Sequence, residues 1–375
     1  MYIESDTKRS WVEVDINQII KNYNIYKSRL SESARIMAVV KADAYGHGDV
    51  AICRALWQNG VKLFAVSNID EAKCLRNSGI GGDILILGYT PPEDFADLFN
   101  FNITQTLLSE EYAELVANSG FNIKCQFAID TGMNRIGLDG SNTEKCAEII
   151  RKYSKKLHLD GFFTHLCVAD SDDEENIEFT RLQIEKYDKI RELTKDLNLP
   201  LVHCMNSAGG IFHGGEELVR LGIVMYGLKP DFSNILPDGI APALSWKSVI
   251  MMVKKIKAGE SVGYGRSFIA DGDMWIATIP TGYADGYRRD LSNKGYVLIK
   301  GYRAPIVGRV CMDQMMIDIS ELVACGEAIE IGDEVTLIGK SGNESLTADD
   351  MAHMIGTIGY EIVCGISKRV PRKYL

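Results

Sequence analysis

The stretch Ala38-Val39-Val40-Lys41-Ala42-Asp43-Ala44-Tyr45-Gly46-His47-Gly48 decides how the rest of the chain is read. An apolar, β-branched run stops at a single lysine. A tyrosine, two glycines and a histidine follow before a helical pattern begins. The charged form of a lysine is costly to desolvate, so a lysine ending a buried strand needs a reason. One reason is chemistry: a lysine amine of lowered pKa is a nucleophile able to form an imine with an aldehyde such as pyridoxal phosphate. The other is a lysine at a barrel rim whose stem lies on apolar surface while its ammonium reaches water. Spacing alone leaves both open.

Outward from this stretch, strand and helix patterns alternate. Residues 11–15, Trp-Val-Glu-Val-Asp, alternate apolar and polar as a strand does, and Ile16, Ile19, Ile20 and Tyr23 are spaced for one helix face. Strands are then expected at 36–40, 63–66, 84–87, 103–107, 124–129, 157–164, 201–204 and 219–224. Helices fill the gaps, among them 50–58, closed by Asn59-Gly60, and 174–197. Eight strands alternating with helices read as an α/β fold, a (β/α)8 TIM-type barrel, with a doubly wound sheet as competitor. In a barrel the site lies at the carboxyl ends of the strands, where Lys41 falls. The style changes near Ala241. Runs at 248–256, 274–279, 296–299, 304–310, 314–319, 335–338 and 358–366 read as strands, with one helix at 348–354 capped by Thr347. The expected division is a barrel over 11–240 and a mostly β domain over 241–375, with strand 11–15 packing on the latter.

The 375 residues carry a net charge of −10, which argues against nucleic acid as partner. Apolar content of 46% and charged content of 25% fit an ordinary globular protein. No uncharged apolar run is long enough to span a membrane, and the opening Met1-Tyr2-Ile3-Glu4-Ser5-Asp6 lacks a signal-peptide pattern. Nine scattered cysteines without a Cys-x-x-Cys pair, and six scattered histidines, suggest neither disulfides nor a metal site; a reducing cytoplasm fits best. Gly263-Tyr264-Gly265 lacks the third glycine of a dinucleotide loop and is set aside.

Val39 to Gly48 resembles, nearly residue for residue, the cofactor-lysine motif of the alanine racemase family. The resemblance runs from Trp11 to Arg372 and implies the rest of a site. Lys41 would hold pyridoxal 5′-phosphate covalently. Tyr45, Ser207 and the backbone at Gly222 and Ile223 would hold its phosphate, although by itself Ser207 reads equally well as a helix cap. Arg220 would face the pyridine nitrogen, His165 would lie near the cofactor and His203 would hydrogen-bond the arginine. An arginine only donates, which weakens the ring as an electron sink and suits an enzyme that must return a proton to Cα. Racemisation calls for acid/base groups on both faces of Cα. Lys41 would serve one face and Tyr264, in Val262-Gly263-Tyr264-Gly265-Arg266, the other. A phenol ordinarily titrates near pH ~10, so that role needs a donor network.

Arg135, in Asp130-Thr131-Gly132-Met133-Asn134-Arg135, and the stretch at Met312-Asp313 would bind the substrate carboxylate, while Tyr360 would narrow the pocket beside the cofactor. The family commonly carries a lysine, often carbamylated, where this chain has Ala128, so the usual anionic partner of Arg135 is missing; an anion or the Asn134 amide would substitute. Gly359 stands where an asparagine is common. These departures, and the polar leader before Trp11, resemble the racemase domains of membrane-bound serine/alanine racemases found with vancomycin resistance, which implies a longer parent with a membrane domain. The activity implied is racemisation of alanine or serine for peptidoglycan precursors, by a homodimer with shared sites. Rivals are a barrel-type amino-acid decarboxylase and a non-catalytic cofactor-binding protein.

Overall fold

The computed structural model describes residues 9–214, 218–230 and 236–375; the leader at 1–8 lies outside them. The chain divides into two compact units, one of 19–240 and one formed by the N-terminal segment to Gln18 with 241–375.

The first unit is a parallel barrel. Its eight strands are Arg35–Val39, Leu63–Val66, Asp83–Ile86, Thr104–Leu107, Lys124–Asp130, His158–Phe163, Leu201–His203 and Leu218–Leu221. The first seven pair each with the next, and the eighth pairs with the first in register Arg220↔Met37. The seam between the seventh and eighth strands is bridged by the Arg220 N–H donating to Met205 O. Barrel strands are covered on both sides and should read as unbroken apolar runs. Most do, but Thr104, Gln105 and Thr106 are all buried. Gln105 and Thr106 are tolerated because their polar groups are paired: Gln105 accepts from Thr90 Oγ1 and donates to Gly88 O, and Thr106 donates to Ile86 O. Two expected elements are shorter. The strand read at 219–224 ends at Leu221, and the helix read at 174–197 ends at Leu193, capped by Thr194.

The second unit is mostly β. Strand Ser10–Val14 pairs antiparallel with Leu244–Val249 and parallel with Arg372–Tyr374. Three strand readings need correction. The run at 248–256 is two strands: Leu244–Val249 pairs with Glu334–Ser341, then the chain changes sheet at Ile250-Met251 and Met252–Ile256 pairs with Met274–Ile279. The run at 304–310 is a strand only as far as Pro305, after which Ile306 makes a single bridge to Ile317. The run at 358–366 is a helix, Gly359–Cys364. Its buried positions, Gly359, Ile362, Val363 and Ile366, are spaced for one helical face, a period hidden by β-branched composition.

This unit also buries a carboxylate. Asp285 is fully buried, accepts from Arg9 and Arg369, and takes the Gly282 N–H. Burial pushes its carboxyl up, but the two guanidinium groups and the amide outweigh burial and hold it below the ordinary carboxylate range. A carboxyl depressed in the fold contributes stability above its unfolded pKa of ~3.9, and that stability is lost as pH falls through the folded value. Asp285→Asn is expected to lower stability at neutral pH by about 1–3 kcal/mol, toward the low end because both arginines reach solvent. Urea melts at pH 7 and pH 3 check this: the gap between variant and parent narrows at the lower pH.

Candidate active site

The barrel residues singled out in the sequence gather at the strand ends. The first strand ends at Val39; the Val40 N–H still donates to Ala65 O, and the chain then enters a turn of left-handed helix. Ala42, Asp43 and Ala44 have φ/ψ of 53/52, 57/45 and 50/51°, and Tyr45 follows at φ 54°. For residues bearing a Cβ this conformation costs roughly 1–2 kcal/mol each. Such strain persists only where its surroundings over-determine it, and it concentrates at functional sites. Here the Ala44 N–H donates to Val40 O at 2.9 Å and the Gly46 N–H to Ala42 O at 3.0 Å, while Ala44 and Tyr45 are buried.

The turn delivers Tyr45 to a cradle. Its ring packs on Tyr226 with centroids 5.0 Å apart, and Tyr226 is pinned by its hydroxyl donating to Val39 O. Ser207 opens the short helix Ser207–Phe212, but the cap is Asn206, whose side chain accepts the Gly209 N–H. The Ser207 hydroxyl instead accepts the Gly222 N–H at 2.8 Å. A Cβ added at Gly222 would come within 2.8 Å of the Tyr45 hydroxyl, so only glycine leaves this space open. Two hydroxyls, the Gly222 backbone and the turn Ile223–Tyr226 thus converge on a space a phosphate could fill.

Arg220, buried in the eighth strand, holds the second cluster. Its Nη1 donates to Nδ1 of His203; its Nη2 donates to Thr164 O at 2.6 Å, Cys204 O at 3.1 Å and Nδ1 of His165 at 3.2 Å. Since a guanidinium only donates, both imidazoles accept at Nδ1 and carry their proton on Nε2. His203 accordingly donates Nε2–H to Gln126 Oε1 at 2.9 Å, and it stacks on Phe163 at 5.2 Å. Burial holds both histidines well below the ordinary imidazole range. For His203, Arg220 and then Arg35 add to it; for His165, Arg220, Arg135 and Lys41 do. Lys41, Arg135 and Arg220 are therefore neighbours of one neutral ring. The loop carrying Arg135 is fixed by Asp130, which accepts the Gly132 and Asn134 N–H groups. Ala128 is buried, and among the described residues Arg135 has no carboxylate partner. The Asn134 amide nitrogen is directed to Gly132 O.

The remaining candidates lie in the β unit. Tyr264 is 71% exposed on a turn after Gly263, and the Arg309 guanidinium borders Gly265 beside it. Met312 is also exposed, on a loop clamped by the Ala284 N–H donating to Met312 O and by Arg369 donating to Asp313 at 2.5 Å. Tyr360 stands in the first turn of the helix Gly359–Cys364. Sequence reading missed Glu71, Gln126, Arg309 and Arg369. Only Arg369 and Arg309 lie near quoted motifs; the others act through contacts no spacing reveals.

The histidine geometry has a measurable consequence. An imidazole kept neutral by the fold lets the unfolded chain bind more protons below its pKa of ~6.5, so stability falls as pH drops through that value. Nitrogen NMR of histidine-labelled protein is expected to show His203 as a neutral Nε2–H tautomer without titration from about pH 5 to 8. A protonated His203 at pH 6 contradicts the arrangement.

Sequence comparisons agree with this geometry. The profile of the alanine racemase N-terminal domain matches residues 14–230 and that of the C-terminal domain residues 243–374. An alanine racemase of Carboxydothermus hydrogenoformans is 41% identical over 97% of this chain and 99% of its own length. Alanine racemase 1 of Bacillus subtilis is 38% identical over 98% of this chain and 93% of its own. Among solved structures, the alanine racemase of Clostridium difficile 630 superimposes with a TM-score of 0.90 at 35% identity, covering 99% of this chain and 97% of that one. A histidine racemase from Leuconostoc mesenteroides has a TM-score of 0.86 at 28% identity, covering both chains fully. Enzymes of this kind depend on pyridoxal phosphate, and the cradle beside the strand-ending lysine fits that cofactor. With its (β/α)8 barrel and mostly β partner unit, the chain belongs to the alanine racemase family and is a pyridoxal-phosphate-dependent racemase.

Proposed function

We propose that the enzyme interconverts the enantiomers of alanine, with serine as a second substrate, by a two-base mechanism. The observation that carries this reading is the strained turn that begins at Lys41 and ends in the Tyr45–Ser207–Gly222 cradle. Relatives named alanine racemase at about 40% identity over nearly their whole length favour alanine. The histidine racemase of the same architecture is a reminder that fold does not choose the side chain. An added hydroxyl is rejected weakly by an apolar pocket, which is why serine stays in the proposal.

In this mechanism Lys41 would hold the cofactor, Tyr45, Ser207, Gly222 and Ile223 would hold its phosphate, and Arg220 would serve its ring nitrogen, with His165 alongside. When bound, the cofactor supplies an electron sink that acidifies the substrate Cα–H. Lys41 Nζ would move a proton on one face of Cα. Tyr264 Oη moves a proton on the other. Arg135 and the backbone at Met312, with Asp313 beside it, bind the substrate carboxylate, and Tyr360 narrows the pocket. Arg220 stays protonated and is aligned by its two Nδ1 acceptors, so it presents N–H groups and keeps electron withdrawal modest. The D-amino acid product would serve peptidoglycan precursors. Nine free cysteines fit a cytoplasmic enzyme. No described helix is long and apolar enough to cross a membrane.

Chiral analysis of products from L-alanine and L-serine tests the activity; release of carbon dioxide would favour a decarboxylase instead. Lys41→Ala is expected to lose borohydride-fixable cofactor. Tyr264→Phe is expected to lower racemisation by about 10²–10⁴-fold, with Cα proton exchange surviving better for one enantiomer. Near-parental turnover in both directions removes Tyr264 from the mechanism.

The working form we propose is a homodimer with shared sites, the β unit of one copy serving the barrel of the other. The exposure of Tyr264 and Met312 supports this. Unfolding and reassembling a Lys41→Ala chain with a Tyr264→Phe chain is expected to restore activity, because each mixed dimer then has one doubly damaged and one intact site. Inactive mixtures with mixed dimers demonstrably present rule out shared sites.

A further inference from the structure

We propose that Glu71 is a positioning residue for Lys41: its carboxylate ties the first amide of the strained turn to the end of the neighbouring strand. The proposal rests on Lys41 being the cofactor lysine. Glu71 lies in the first turn of the helix Ile69–Asn77, whose cap is Asn68; the Asn68 side chain accepts the Glu71 N–H at 3.0 Å. A glutamate here would ordinarily reach back to the cap residue's own N–H. Glu71 does something else. Its Oε1 accepts the Ala42 N–H at 2.8 Å and its Oε2 accepts the Ser67 N–H at 2.7 Å.

These two amides follow the ends of adjacent strands. Arg35–Val39 and Leu63–Val66 are paired in register Val39↔Ala65, and the ladder continues as far as the Val40 N–H donating to Ala65 O. Beyond that point the chain turns left-handed and ladder bonding between the two strands stops. The Ala44 and Gly46 amides find acceptors within the turn, at Val40 O and Ala42 O. The Ala42 amide, next to Lys41 in the chain, finds the Glu71 carboxylate. A charged acceptor gives a stronger hydrogen bond than a neutral one, and a carboxylate alone offers two acceptor oxygens and no donor. Glu71 thus continues the link between the two strands past the end of the ladder, at the amide two residues beyond Val40, where Lys41 needs a fixed backbone. Four left-handed residues in sequence would otherwise have easier conformations to fall into.

The chemistry separates this role from helix capping. Glu71→Gln keeps the size but must set an NH2 group against one of the two N–H donors. Asn68→Ala removes the cap and keeps the clamp. The full-length proteins are compared by titrating pyridoxal phosphate into each, by the fraction of Lys41 fixed to cofactor with borohydride, and by thermal melting. Glu71→Gln and Glu71→Ala are expected to weaken cofactor binding about 10–100-fold, the effect of losing a hydrogen bond to a charged group. Asn68→Ala is expected to melt earlier yet bind cofactor like the parent. Should Glu71→Ala not fold, Glu71→Gln carries the test. Parental affinity and parental fixation of Lys41 in the Glu71 variants, whatever their melting temperature, overturn the proposal. Lys41→Ala is the separate control: if it still yields a borohydride-fixed adduct, the assignment of Lys41 fails, and with it the reason for a clamp.

Discussion

Four consecutive side-chain-bearing residues held in the left-handed region, Ala42 to Tyr45, are the constraint on which the barrel site depends. A right-handed turn after Lys41 would be cheaper by several kcal/mol, at roughly 1–2 kcal/mol per residue. The chain takes the costly route because its backbone bonds, the buried Ala44 and the Tyr45–Tyr226 contact are satisfied together only there. Two things follow from the one turn. The strand ends abruptly at the lysine, and the tyrosine four residues on points its hydroxyl at Gly222 and Ser207. Strain at this place is part of how the site is positioned.

The second feature of the barrel is a buried cation served by neutral acceptors. Arg220 donates to two imidazole nitrogens and several backbone carbonyls, and desolvation keeps the imidazoles uncharged. Carbonyls and Nδ1 atoms orient it without themselves adding negative charge. The same reasoning covers the region around His165, where Lys41 and Arg135 add to the positive field that an anionic cofactor and a carboxylate substrate would enter.

In the β unit, charge is used differently. Asp285 is buried under two arginines, and one of them, Arg369, also holds Asp313. A single carboxylate and its partners thereby connect the N-terminal segment, the segment near the C-terminus and the loop of Met312. The second arginine bond to a surface aspartate would be worth little by itself; joined to a buried carboxylate it fixes a loop.

The barrel was legible because eight apolar runs of strand length alternate with amphipathic helices, and because Val39 to Gly48 is a motif few sequences carry. Local chemistry also marked Thr347 as the cap of the helix Ala348–Ile355, since a threonine and the aspartate three residues on each accept the other's amide N–H. Other features were not legible. The helix Gly359–Cys364 looked like a strand because β-branched residues mask a helical period in a short run. The sheet change at Ile250-Met251 depends on which strands lie alongside. Residue type left Ser207 open between a helix cap and a phosphate ligand; Asn206 caps and Ser207 turns to Gly222. Glu71 and Gln126 carried no signal, since what they do depends on which backbone amide or ring nitrogen lies within hydrogen-bond reach. Sequence by itself determined the residue types and the local order of elements, which are matters of composition and period. Tertiary structure alone decided which polar atoms meet, because a hydrogen bond is set by distances between residues far apart in the chain.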